Sequence, residues 1–209
     1  MASLNPFSNT AVTRRFIFLM AVATFVMFSV WAVIKSYTQT PAGDYEVRQG
    51  DIFLGDKKYD DALERFDEAL KLSPDHRGAL MGRALAFMLD GKREEAEVAL
   101  TYMIGYLKEN LPSDDRTGIG TLAAAYNNRG ILRDRQCRHK EALADYIEAL
   151  KTDEGAVDGP GIVNKIIHRP NPSTARKRAQ FLYERIDSLK EGECLVMPEV
   201  DDQERVYKP

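Results

Sequence analysis

DYEVRQGDIFLGDKKYDDALERFDEALKLSP, residues 44–74, reads as two short helices joined by a tight turn. Apolar residues recur at three- and four-residue spacing rather than in strict alternation, which selects helix over strand. Asp60 and Asp61 stand at the amino end of the second helix, Lys71 near its carboxyl end, and Pro74 stops it. The pattern then repeats. Gly50 and Ala84, Phe53 and Phe87, Ala62 and Ala96, Phe66 and Leu100, and Ala69 and Met103 are each 34 residues apart. Five coincidences at one period mark an internal repeat. A third copy lies 46 residues beyond the second, pairing Ala84 with Gly130, Ala96 with Ala142, Leu100 with Tyr146 and Met103 with Ala149. The extra twelve residues read as an insertion, ENLPSDDRTGIG.

Small residues fall where two antiparallel helices must approach closely, and large ones where copies pack on each other. These helix pairs resemble the tetratricopeptide repeat. The resemblance rests on Gly50, Phe53, Tyr59, Ala62, Phe66, Ala69 and Pro74 in copy one, on Ala84, Phe87, Gly91, Ala96, Leu100 and Met103 in copy two, and on Tyr126, Gly130, Ala142, Tyr146 and Ala149 in copy three. Departures are Glu46 and Leu80 where the family often has tryptophan, Arg133 at a position usually apolar, and Glu154 in place of a final proline. The resemblance implies an all-α chain built around an α-solenoid. Its three units span 43–76, 77–107 and 123–153, with the insertion at 108–122. Residues 154–190 read as a degenerate fourth repeat or capping helix, which closes the open end of a solenoid core. There GPGIVNKIIHRPNP is a broken first helix and STARKRAQFLYERIDSLK a clear one with Ser173 as its N-cap. Residues 191–209 form an irregular tail.

Ahead of the repeats, between Arg15 and Lys35, FIFLMAVATFVMFSVWAVI runs nineteen residues without a charge. At about 1.5 Å per residue it crosses a hydrocarbon core of about 30 Å. Residues 16–34 are therefore expected as a transmembrane helix, after a short tail at 1–15 and before a linker at 35–42. The alternative, a cleaved signal peptide, has a shorter apolar stretch and a small-residue cleavage site, which this sequence lacks nearby. Arg14 and Arg15 bias the amino end to the cytoplasm and the repeats to the periplasmic side of an inner membrane. Positions 1–40 hold three basic and no acidic residues, leaving 26 basic against 32 acidic side chains in the remainder, a net of about −6 that argues against nucleic acid.

NNRGILRDRQCRHKEALADYIEAL, residues 127–150, looks chemical at first sight. A lone Cys137-x-His139 lacks the second pair of ligands that a closed zinc site needs, and His76 and His168 belong to other units. In the family an Arg-Gly on the first helix pairs with an Asp-Tyr on the second, which implies a structural ion pair between Arg129 and Asp145. Gly118–Ala123 spells a dinucleotide fingerprint, but no strand precedes it. With no nucleophile motif, no metal and no cofactor indicated, the sequence reads as non-catalytic, without a small-molecule substrate.

What remains is binding. The first helices of such repeats line a concave groove, here by resemblance Val47, Asp51, Leu54, Met81, Leu85, Met88, Asn127, Asn128, Ile131 and Arg135. That surface suits an extended or helical peptide; alternatively it packs against the chain's own tail or the insertion. Clamps for chaperone carboxylates use basic residues and asparagines at positions held here by Val47, Asp51, Gly82, Ala124 and Asn128, and Asp51 would repel that ligand. Cys137 and Cys194, the only cysteines, would bridge in an oxidising compartment. The expected function is a membrane-anchored scaffold that binds protein partners during assembly of a membrane or exported complex, touching lipid through residues 16–34. Two alternatives stand beside it: a structural subunit held by its membrane helix and tail, and a cytoplasm-facing peptide receptor.

Overall fold

The computed structural model describes residues 10–37, 41–157, 174–188 and 193–195. The chain divides into two compact units, residues 1–41 and 42–209. The first contains α1, Thr10–Tyr37, which encloses the expected span. Its stretch from Thr10 to Lys35 has a mean hydropathy of 2.5 and no buried residue, and is the one helix among those described long and apolar enough to cross a membrane. Large side chains such as Phe18, Phe25, Met27 and Val33 are exposed along it. At its end the Lys35 ammonium lies 5.0 Å over the Trp31 ring, an amphipathic pairing suited to a membrane boundary.

The second unit is a series of helix pairs: α2 (Asp44–Gly55) with α3 (Tyr59–Leu72), α4 (Arg77–Leu89) with α5 (Arg93–Asn110), and α6 (Arg116–Asp134) with α7 (His139–Val157). A further helix, α8 (Ala175–Arg185), packs on α7 and runs into a short 3-10 turn, Ile186–Ser188. The periodic residues meet as their sizes require. The fully buried Phe66 ring fills the space against Gly50, where a Cβ would come within 2.6 Å of it, and also faces Gly82 of the next pair. Tyr146 plays the same part against Gly130, where a Cβ would stand 2.9 Å from the ring. At the equivalent positions copy two has a smaller Leu100 and Ala84, both fully buried in one core. Aromatic rings therefore go with glycine and the branched aliphatic with alanine, so the interhelix volume stays constant.

The turns repeat too. Lys57, Gly91 and Cys137, at equivalent positions, all have positive φ, of 61°, 79° and 61°. A left-handed residue is what reverses the chain into the next helix, and only Gly91 adopts it without cost.

The expected insertion at 108–122 is not a separate loop. Relative to copy one it lengthens α5 by about one turn and starts α6 two turns early, leaving only residues 111–115 between them. Gly118–Ala123 is thus the interior of a helix, capped by Asp115, whose carboxylate accepts from the Gly118 N–H at 2.8 Å. The first helices are also stapled at their amino ends. His76 accepts from the Ala79 N–H through Nδ1, so its Nε2 proton faces Asp44 at 2.8 Å, and Arg77 donates to Asp115 at 2.6 Å.

At the far end, extended Asp153 breaks α7 and caps the turn that follows, accepting from the Ala156 N–H. The expected broken helix in 158–173, with His168 and Ser173, lies outside the described residues. Thr174, not Ser173, caps α8, its hydroxyl accepting from the Lys177 N–H at 3.2 Å.

Candidate protein-interaction surfaces

The basic cluster of copy three resolves into one ion network. Arg129 grips Asp145 through two parallel hydrogen bonds of 2.8 and 3.0 Å and reaches Thr101 on α5. Arg133 donates to Asp145 and to Glu97, both at 2.9 Å, and Arg138 joins Glu97 to Glu141. Asp145 is buried, so its charge is tolerated only because two guanidinium groups meet it. Arg133, in place of an aromatic, is explained by those carboxylates on both neighbouring helices.

Arg138 above all holds the Glu97 and Glu141 carboxyls below the usual carboxylate range, with Arg133 adding to the effect. Because these folded-state values are depressed, the stabilisation is complete above the unfolded value of about 4.5 and is lost as pH falls through the folded value. Unfolding of the detergent-solubilised protein should show a falling Tm below about pH 4.5, and Glu97→Gln should lower stability at pH 7 by about 1 kcal/mol while flattening that acid slope. An unchanged slope in the variant would sink the assignment.

The ten positions expected to line a groove do not form an open trough. Met81, Leu85, Asn127, Asn128 and Ile131 are at most 2% exposed; Val47 and Met88 are buried, Asp51 and Leu54 half-buried, and only Arg135 is exposed. Asn128 and Met81 meet across two copies, Nδ2 to sulfur at 3.5 Å. At the position equivalent to Leu54 and Met88, copy three carries Asp134, a buried carboxylate that sequence reasoning passed over.

Asp134 anchors a clamp on the tail. Its carboxylate meets His139 Nδ1 at 2.7 Å and takes a short hydrogen bond from Arg178 Nε on α8, with the Tyr146 hydroxyl at 3.5 Å. The Leu195 N–H donates to His139 Nε2 at 2.9 Å, which places the imidazole proton on Nδ1, facing Asp134. Arg178 Nη2 then donates to the Leu195 carbonyl at 3.0 Å. Cys194, one residue back, is bridged to Cys137, with Cα atoms 4.9 Å apart. Both ring nitrogens of His139 are therefore engaged by protein groups. The bridge closes a loop of 57 residues, so reduction should cost about 2–4 kcal/mol in urea unfolding. A midpoint unmoved by reductant would show that the bridge constrains nothing.

An open cleft of about 590 Å³ lies along α4 and α5, lined by Leu80, Arg83, Phe87, Glu94, Val98 and Tyr102 among others. Val98 is 71% and Tyr102 58% exposed, while Arg83 stacks over Phe87 at 5.6 Å.

Residues 47–103 match the tetratricopeptide repeat family. That stretch carries tetratricopeptide repeats. Among curated proteins it is similar to DnaJ homolog subfamily C member 7 of Mus musculus, 30% identical over 104 residues, which is 46% of this chain. The chain spans only about a fifth (21%) of that relative's length. Among solved structures it is similar to the Sgt2 tetratricopeptide domain from Aspergillus fumigatus, at 16% identity and TM-score 0.51, covering 77% of this chain and 91% of that one. It is also similar to the first tetratricopeptide domain of Spaghetti (RPAP3), bound to the HSP90 peptide SRMEEVD, at 17% identity and TM-score 0.50 over 71% and 96%. At these identities the likeness is one of fold. The family match itself ends at residue 103, within the second copy.

Proposed function

We propose that this protein is a non-catalytic, membrane-anchored tetratricopeptide scaffold that holds protein partners during assembly of a membrane or exported complex. The observation that carries this reading is the open cleft along α4 and α5. Exposed Val98 and Tyr102 surround an apolar floor of Leu80 and Phe87, and Arg83, Glu94 and Glu95 supply a rim of both charges. Such a surface suits a protein segment with an apolar side and a polar edge. The apolar helix α1 supports anchoring, since an anchor raises the local concentration of a weak binding site near membrane partners. The Cys137–Cys194 bridge supports placing the repeats in an oxidising compartment, in line with the positive-inside bias of Arg14 and Arg15.

The fold of the RPAP3 domain is shared, but at the positions where a carboxylate clamp needs cations this chain holds Val47, Asp51, Gly82 and Ala124.

The second reading, a stoichiometric subunit held by its membrane helix, draws on the exposed apolar surface along α1. Purification of the tagged protein in mild detergent, beside a Val98→Asp, Tyr102→Asp variant, separates the two. Both side chains are solvent-exposed, so the variant should fold. Partners lost with the variant support the scaffold; a complete set retained by it supports the structural subunit.

A further inference from the structure

The clamp of copy three contacts the tail in an unusual way. His139 takes the N–H and Arg178 supplies a donor to the carbonyl of one residue, Leu195, much as a neighbouring β-strand would. Neither contact involves the Leu195 side chain, which packs against the apolar core beside the clamp. Asp134, His139 and Arg178 are only 3–6% exposed, and Asp134 orients both of the other two. The site is preorganised by packing, and it reads main chain. What ties this particular segment to it is the neighbouring Cys194–Cys137 bridge, whose Cys194 end is exposed.

We infer that Asp134, His139 and Arg178 form a receptor for an extended peptide segment bearing one apolar side chain, occupied in this structure by the chain's own residues 193–195 under a disulfide latch. This deepens the scaffold reading by adding a second contact, and rests on it only for the existence of a partner. Opening is a two-electron exchange. A dithiol reductant attacks the bridge, Cys137 and Cys194 leave as thiols, and the reductant becomes the disulfide. Once open, the tail still competes from the same chain, and its advantage is then one of local concentration rather than of a covalent bond.

The test uses the full-length protein in detergent micelles and a fluorescein-labelled peptide, residues 191–200 with Cys194→Ser, read by anisotropy. The opened protein carries Cys194→Ser and Leu195→Asp, which remove the latch and weaken the internal competitor. It should bind the peptide at least about tenfold more tightly than the oxidised wild type, a difference worth one or two hydrogen bonds with their packing. Adding His139→Ala should abolish the gain. A peptide N-methylated at the Leu195 nitrogen tests the same bond without touching the protein, and it too should lose binding. Equal affinity in oxidised and opened protein would overturn the proposal, as would no saturable binding to opened protein that keeps its helical circular dichroism. Full binding of the N-methylated peptide would overturn it as well. Because no cellular partner enters this assay, its failure leaves the co-purification result on Val98 and Tyr102 standing.

Discussion

Arg178→Ala should destabilise the repeat unit by about 3–5 kcal/mol, because it strands the buried Asp134 carboxylate without its cation. Asp134 retains His139 and the Tyr146 hydroxyl, but a neutral imidazole does not balance a charge in this setting. The same substitution releases the Leu195 carbonyl, so the tail should loosen together with the fold. The pair itself is expected to add little net stability, since desolvating both charges offsets most of their attraction. Copies one and two show what replaces it: Leu54 and Met88 occupy the position of Asp134. A double variant, Asp134→Leu with Arg178→Ala, should therefore recover much of what Arg178→Ala alone loses. Urea unfolding of the four corners of this cycle measures the coupling. Losses that simply add, or a single-variant loss under about 1 kcal/mol, would mean that the charges are not interdependent.

Phe66→Ala should cost about 3–5 kcal/mol, the range for emptying an aromatic site in a core. Phe66 is fully buried and faces two glycines, Gly50 and Gly82, whose backbones present no side chain able to move into the void. The volume rule among copies makes a sharper expectation. Gly50→Ala alone should destabilise, because its Cβ would stand 2.6 Å from the Phe66 ring. In a Phe66→Leu background, which reproduces the Leu100 and Ala84 combination of copy two, the same Gly50→Ala should stabilise, helped by the better helix propensity of alanine, about 1 kcal/mol. A change of sign between the two backgrounds is the expected result. The same sign in both would mean that Gly50 is set by something other than the ring.

How far each feature could be read from sequence follows the distance over which it is encoded. The glycine and alanine spacing and the large residues between copies repeat every 34 or 46 positions, so comparing the chain with itself exposes them, whereas the left-handed turn positions, held by Lys57, Gly91 and Cys137, share no residue type and emerge only in the structure. Arg129 and Asp145 lie sixteen residues apart across one turn, within a single copy, so the repeat pattern brings them into register. The nineteen-residue apolar run needs no context at all.

Other features have no local signature. The Asp134–Arg178 contact joins residues 44 apart, and the Leu195–His139 contact residues 56 apart, the latter through main-chain atoms that sequence does not distinguish. Asp134 also sits on an otherwise apolar face, where the repeat pattern gave no reason to expect a charge. The insertion was legible in length but not in form, because the twelve residues are absorbed as extra turns of α5 and α6 once each has a neighbour to pack on. Burial of Met81, Leu85 and the two asparagines likewise depends on successive first helices lying side by side. By itself, then, the sequence determined the apolar helix, the helix pairs and their period, since each depends on residues within one copy or on a repeated spacing. Only the tertiary structure decided which polar groups are buried together and which surfaces stay open, since both depend on the packing of segments remote in the chain.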